Sequence, residues 1–317
     1  MQCDLHVNAM ITAKLSSLWP IYIPSYNRAS KAPLLNSLSK AGSNTQSKVT
    51  VVIRRSQLKE YQEAYALTKF RYAFVDDPGV GPARIACLEH ARKHNRHRIL
   101  MLDDDMLSFH PLYKAKTKAG NPVIRSVTAK SLKWPDKVHV SIRSLSAACM
   151  YADRLLDRHL DLSYGALRNK LFSIGLDTDV YCDINKGSFP SCAFLIDVDR
   201  FSLTEFPCDP FNFHGEDLYM YVFNLKQGYN SFRVNNFCYC QDYDIDSNIP
   251  LNDNIGRGIH IKHILKIWPD MEPYIIPVSK HSTGSIKRVG FNWRRLVKDG
   301  ILKQYSVRTE DLSDYRI

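Results

Sequence analysis

Three consecutive carboxylates, Asp103, Asp104 and Asp105, follow the apolar run Ile99–Leu102 in "RILMLDDDMLSFH". A short continuous apolar run reads as a strand buried on both faces. Like charges this close together resist burial unless a positive group compensates them. Two readings fit the triplet by itself. In one it is a solvated loop whose acids cap a following helix. In the other a divalent cation is held at the carboxyl end of an interior strand, where α/β folds bind ligands.

Further stretches carry chemistry of their own. Asp76 and Asp77 stand before Pro78 and Gly79, which is turn chemistry and also a pair of acids at a strand end. Arg84 sits on the helix that opens after "GVGP", where backbone N–H groups favour anions. Arg28 follows the first strand; each arginine has a plain surface reading beside the anion-binding one. "GVGP" lacks the GxGxxG spacing of a dinucleotide site. "HGED", His214–Asp217, offers adjacent carboxylates that suit a general base, or simply acids at a helix N-terminus. Three histidines, His260, His263 and His281, come late in the chain. His260 and His263 have the spacing of an amphipathic helix, and His281 sits in the loop "SKHSTGS".

These groups need a scaffold, and one is legible around them. Strands are expected at Trp19–Tyr26, Lys48–Arg54, in "RYAFVDD" and in "RILML". Helices are expected in "APLLNSLSKAG" closed by Gly42, in "SQLKEYQEAYAL" capped by Ser56, and after "GVGP". Strand and helix alternate over Trp19–Asp105, which predicts a parallel, doubly wound α/β sheet. Beyond it the regularity weakens into basic turns ("KAKTKAGNP") and an amphipathic stretch around "ACMYADRLLDRHL". A buried strand within Phe189–Phe201 follows, then a helix ended by Gly228 and a strand in "SFRVNNFCYCQDYD". No repeat or linker divides the chain.

The 317 residues carry a net charge of +11, which points to an acidic partner such as nucleic acid, an anionic surface or a phosphorylated substrate. None of the 8 cysteines forms a CxxC pair, so a structural zinc site is not expected. Several lie in apolar runs such as "SCAFLID", as small hydrophobes in a reducing cytosol do. No signal peptide or membrane-spanning run is read, and a soluble cytoplasmic protein is expected. "KRVGFNWRRLVK" interleaves Phe291 and Trp293 with Lys287, Arg288, Arg294 and Arg295. Such a segment neutralises phosphates and stacks on an extruded base, or else is a solvated face with Trp293 as a core anchor.

The order "PIYIPSYNR", "FVDDPGVGPARIACLEHA", "ILMLDDD" and, much later, "HGED" resembles the GT-A glycosyltransferases over roughly Trp19–Gly228. Pattern and charge resemble, more narrowly, the phage-encoded enzymes that glycosylate hydroxymethylated DNA bases. The resemblance implies a Rossmann-like, mostly parallel sheet with a helical insertion and a C-terminal extension in one domain. Its parts would be an N-terminal tail (1–17), a nucleotide-sugar half (18–110), an acceptor half (111–250) and a basic extension (251–317). It also implies a nucleotide-sugar donor, with uridine diphosphate the expected carrier, and Mn2+ or Mg2+ held by Asp103, Asp105 and His281. Asp104 would lie near the ribose; Arg28, Asp76, Asp77 and Arg84 would line the donor; Asp217 would be the base and Glu216 would orient the acceptor. The expected acceptor is DNA bearing hydroxymethylated bases, in a phage-infected host's cytoplasm. A glycan, protein or small-molecule acceptor is the alternative, and a non-catalytic nucleic-acid-binding module is a second one.

Overall fold

The structure is a computed structural model. It describes residues 14–77, 79–116, 122–126, 136–170, 180–185, 190–204, 216–242, 264–280, 286–308 and 311. His214, His260, His263 and His281 lie outside the described residues. Strands β1 (Ile21–Pro24), β2 (Val49–Ile53), β3 (Arg71–Phe74) and β4 (Arg98–Leu102) pair in parallel in the order β3-β2-β1-β4. Their apolar runs face both ways, as a strand covered by helices on each side requires. Ile21, Ile23, Leu100 and Leu102 enter one core, while Tyr22, Ile99 and Met101 enter the other.

Helices α1 (Pro33–Leu38), α2 (Ser43–Gln46) and α3 (Leu58–Ala64) lie between β1 and β3, and α4 (Val80–Lys93) between β3 and β4. Two local expectations are corrected. Gly42 is the N-cap of α2 at φ −63°, not a helix-ending glycine. Ser56 caps nothing, because a 3₁₀ turn over Arg55–Gln57 leads into α3.

After the acidic triplet the chain enters a strand, not a helix, so the capping reading of the acids fails. Strand β5 (Met106–Lys116) crosses residue 110 and forms an antiparallel hairpin with β6 (Pro122–Ser126), where sequence suggested only basic turns. The amphipathic stretch belongs to the 22-residue helix α5 (Lys137–Arg158), N-capped by Asp136, which accepts from the His139 N–H. Its apolar face, including Leu145, Cys149, Leu155 and Leu156, covers the first core.

The sheet continues through β7 (Leu162–Asn169), β8 (Val180–Ile184), β9 (Ala193–Asp197) and β10 (Asn230–Gln241), with α6 (Glu216–Lys226) before β10. Strand β9 runs antiparallel between β4 and β7, so β1–β4, β7 and β10 share one direction and present their carboxyl ends along one edge. The C-terminal segment adds the β11 (Ile275–Lys280) and β12 (Ile286–Phe291) hairpin, then α7 (Trp293–Lys298). Strand β13 (Tyr305–Arg308) joins the sheet through β8. Helices α4, α6 and α7 cover the second core. No helix among the described residues is long and apolar enough to cross a membrane.

One close approach fixes how β7 meets β10. A Cβ on Gly165 would lie 2.4 Å from the backbone oxygen of Phe232 and 2.4 Å from its ring. Gly165→Ala is therefore expected to destabilise the fold by about 1–3 kcal/mol, read as a lowered denaturation midpoint. An unchanged midpoint would mean the two strands sit farther apart.

Candidate active site

The turn after β4 splits the three aspartates among three different partners. Asp103 donates its backbone N–H to the Cys192 carbonyl at 3.2 Å, and its Oδ1 accepts from Arg84 Nη2 at 3.3 Å. Asp104 is 6% exposed; its Oδ2 accepts from Ser25 Oγ and its Oδ1 from Arg28 Nη1 at 2.7 Å. Tyr61 Oη pairs with Ser25 at 2.8 Å and accepts the Arg28 backbone N–H at 3.2 Å. Asp105 Oδ2 accepts from Gln241 Nε2 at 2.9 Å, while its Oδ1 is buried with no hydrogen-bond partner among the described residues.

Arg84 joins this turn to the later acidic pair. It is 1% exposed, and its guanidinium lies over the Phe194 ring at 4.7 Å. Nη2 faces Asp103 at 3.3 Å and Glu216 Oε1 at 3.2 Å, and Nη1 contacts Asp217 Oδ1. Asp217 Oδ2 has no protein partner among the described residues. The first turn of α6 thus meets the end of β4 through one arginine on α4. The forked, planar guanidinium suits this work, since a single ammonium cannot hold two carboxylates in fixed directions.

Among the described residues one cation, Arg84, stands against three carboxylates here, and burial sharpens the imbalance. Desolvation drives the Asp103 carboxyl up to about 8 despite Arg84, with Asp105, Asp217 and Glu216 adding to the rise. Desolvation also raises Asp217 to about 6, with Arg84 opposing and Glu216 reinforcing. Asp105 is raised by its burial, with the Gln241 hydrogen bond opposing. Arg84 stays charged: burial disfavours the cation, and Asp217, Asp103 and Glu216 together outweigh it.

Several site residues stand elsewhere than the sequence suggests. Arg84 is buried beneath the acids rather than aimed outward at a diphosphate, because three carboxylates need its charge. Asp104 accepts a hydrogen bond on each oxygen and clamps the β1 and β4 turns together. Arg28 gives Nη1 to that clamp. Asp76 and Asp77 are exposed past the end of β3, with β2 and β1 between them and β4. Trp293 is half-buried against the second core, 5.3 Å from the Phe291 ring and 5.6 Å from that of Tyr221. Arg294 and Arg295 are exposed on α7; Lys287 and Arg288 lie in β12. Glu216 and Asp217 come together with Asp103 around the one guanidinium of Arg84. Among the described residues, no group of three or more His, Cys, Asp or Glu could hold a metal ion.

Nothing in the sequence marks Ser25, Tyr61, Gln241 or Cys192 for these contacts, and the run "SCAFLID" reads Cys192 only as a small hydrophobe. Ser25 lies inside the quoted "PIYIPSYNR", and Tyr61 showed only helical spacing. Cys192 adopts φ +61°, a left-handed conformation costly for a side chain of its kind and met where surroundings enforce it. Its carbonyl there receives the Asp103 N–H, and nothing in its residue type announces this.

No curated protein compared matches the chain. A solved structure described as mannose-1-phosphate geranyltransferase from Thermus thermophilus is similar at a TM-score of 0.33 and 11% identity, over 70% of this chain and 75% of that one. Residues 19–247, which contain every element from β1 to β10, match the family described as TAGT, TET-Associated Glycosyltransferase. The chain belongs to the TET-associated glycosyltransferase family and is a glycosyltransferase.

Proposed function

We propose that the protein transfers a sugar from a nucleotide-sugar donor, with a divalent cation, onto a hydroxymethylated pyrimidine base in DNA. The observation that carries the reading is the acid cluster at the sheet's carboxyl edge. Among the described residues carboxylates outnumber cations there, and Asp105 keeps a buried oxygen without a partner. One or two carboxylates suffice for a divalent cation whose remaining positions are filled by donor phosphate and water, and Asp103 and Asp105 are the proposed protein ligands; His281 is a further candidate from the sequence. When bound, the cation would stabilise charge developing on the leaving diphosphate.

The chain's own residues supply the rest. Asp217 takes the proton of the incoming hydroxyl on Oδ2, while Arg84 holds its other oxygen and fixes its direction. Glu216 orients the acceptor from the same helical turn. Arg28, Asp76 and Asp77 are proposed to contact the donor from the ends of β1 and β3. DNA is favoured as acceptor by the net charge of +11 and by Arg294 and Arg295 on α7. Helix α7 is anchored through Trp293 on Tyr221, one helical turn beyond Asp217. Lys287 and Arg288 belong to the same basic segment and are proposed to meet phosphates with them.

Incubating hydroxymethylated DNA with Mn2+ and a panel of nucleotide sugars, then digesting to nucleosides for mass spectrometry, tests this. A nucleoside heavier by one sugar residue is the expected product. Donor hydrolysis without any modified nucleoside would move the acceptor to a glycan, protein or small molecule.

A further inference from the structure

Across the sheet from the acid cluster lies a second charged group that the reaction above does not use. Met101, Phe194, Ala166, Arg233, Asp183 and Ser306 form one row of paired residues through β4, β9, β7, β10, β8 and β13. Directly paired residues present their side chains on the same face. Arg233 therefore shares the face on which Arg84 covers Phe194, two strands and about 10 Å further along.

Two guanidiniums meet here over one carboxylate. Arg168 donates Nη2 to Asp183 Oδ2 at 2.9 Å and Nε to Asn235 Oδ1 at 2.6 Å. Asn235 Nδ2 and Ser306 Oγ occupy Asp183 further, at 3.0 and 2.7 Å. Arg233 is half-buried and makes no hydrogen bond or ion pair among the described residues. Desolvation, and then the charge of Arg168, pull it down to about 10. Tyr239 and Asp183 oppose this without cancelling it, and a half-buried cation left this way is the complement of an anion.

We propose that Arg233, backed by Arg168, is a phosphate site that holds the acceptor nucleotide by a backbone phosphate beside the base being modified. The proposal rests on the DNA reading above for the source of that phosphate. Its position fits: the sugar-accepting group would lie by Asp217, and the phosphate on the same sheet face, a short reach away. The geometry favours the acceptor over the donor, since the donor's diphosphate belongs with Asp103 and Asp105 at the end of β4.

Calorimetric binding of hydroxymethyldeoxycytidine monophosphate, of its phosphate-free nucleoside and of uridine diphosphate to the full chain tests the site. The wild type should bind the monophosphate about tenfold or more tighter than the nucleoside, the effect of one charge-assisted contact. Arg233→Gln should erase that preference, Arg233→Lys should keep part of it, and uridine diphosphate should bind all three proteins alike. The denaturation midpoint of Arg233→Gln should hold or rise, because burial and the charge of Arg168 outweigh Asp183 and Tyr239 at this position and no hydrogen bond or ion pair among the described residues is lost. No preference in the wild type, an equal preference in Arg233→Gln, a loss confined to uridine diphosphate, or a clearly lowered midpoint would each overturn the proposal. Sugar transfer to the same acceptors is scored separately. A monophosphate preference with no transfer overturns the acceptor reading and leaves the phosphate site standing.

Discussion

Arg84→Met is expected to abolish measurable sugar transfer and to weaken the fold together. The substitution keeps the length of the side chain and its packing over Phe194, but it leaves Asp103, Glu216 and Asp217 facing one another without a cation. Removing one partner of a buried ion pair leaves an uncompensated charge, at a cost of about 3–5 kcal/mol. Protonation of one or two of the acids would recover part of this, so the loss of stability should be smaller at acid pH than at pH near 8. Arg84→Lys separates the two roles. It restores a charge and much of the stability, yet one ammonium cannot hold Asp217 and Asp103 in two directions, so turnover should stay far below wild type while donor affinity changes little. Thermal denaturation at two pH values, alongside steady-state kinetics for both variants, reads all of this. Near-normal turnover in Arg84→Met would remove Arg84 from the reaction and leave it a structural residue.

The arginine's place was hidden from the sequence for a physical reason. Charged residues are rarely buried without partners, and Arg84's partners sit in segments far away in the chain: one at the end of β4, two in the first turn of α6. Helical spacing alone places it near the start of a helix and so suggests an outward anion site. The apolar runs of β1, β2 and β4 were legible because strands covered on both faces must be apolar throughout. The reversal of β9 was not, since a fully buried strand reads the same in either direction. The β5–β6 hairpin was obscured by its own composition, because lysines exclude neither a turn nor an exposed strand. Asp104 shows the same limit in miniature. A triplet of aspartates invites three similar roles, and only the fold reveals that the middle one spends both oxygens on Ser25 and Arg28.

Asp217→Asn carries the second large effect, a fall in turnover of about 10²–10⁴, the usual contribution of a general base. Donor affinity should change little, because the amide keeps a carbonyl oxygen for Arg84. The pH dependence gives the assignment an independent edge. Burial raises the Asp217 carboxyl to about 6, with Arg84 opposing. The base must be ionised to act, so kcat/KM of the wild type should rise as pH passes through that region, and the variant's residual activity should lack this limb. Stability runs in the opposite sense. An acid whose folded pKa is raised contributes most below its unfolded value near 4, and that contribution is lost as pH climbs through the folded value. The neutral amide loses nothing over this interval. Relative to wild type, the midpoint of Asp217→Asn should therefore improve between pH 4 and pH 8 while its turnover stays low. A variant that is slow at every pH but gains no relative stability on the alkaline side would show that the Asp217 charge is well compensated in the folded protein. Its role would then lie in holding Arg84, with the proton passing to Glu216.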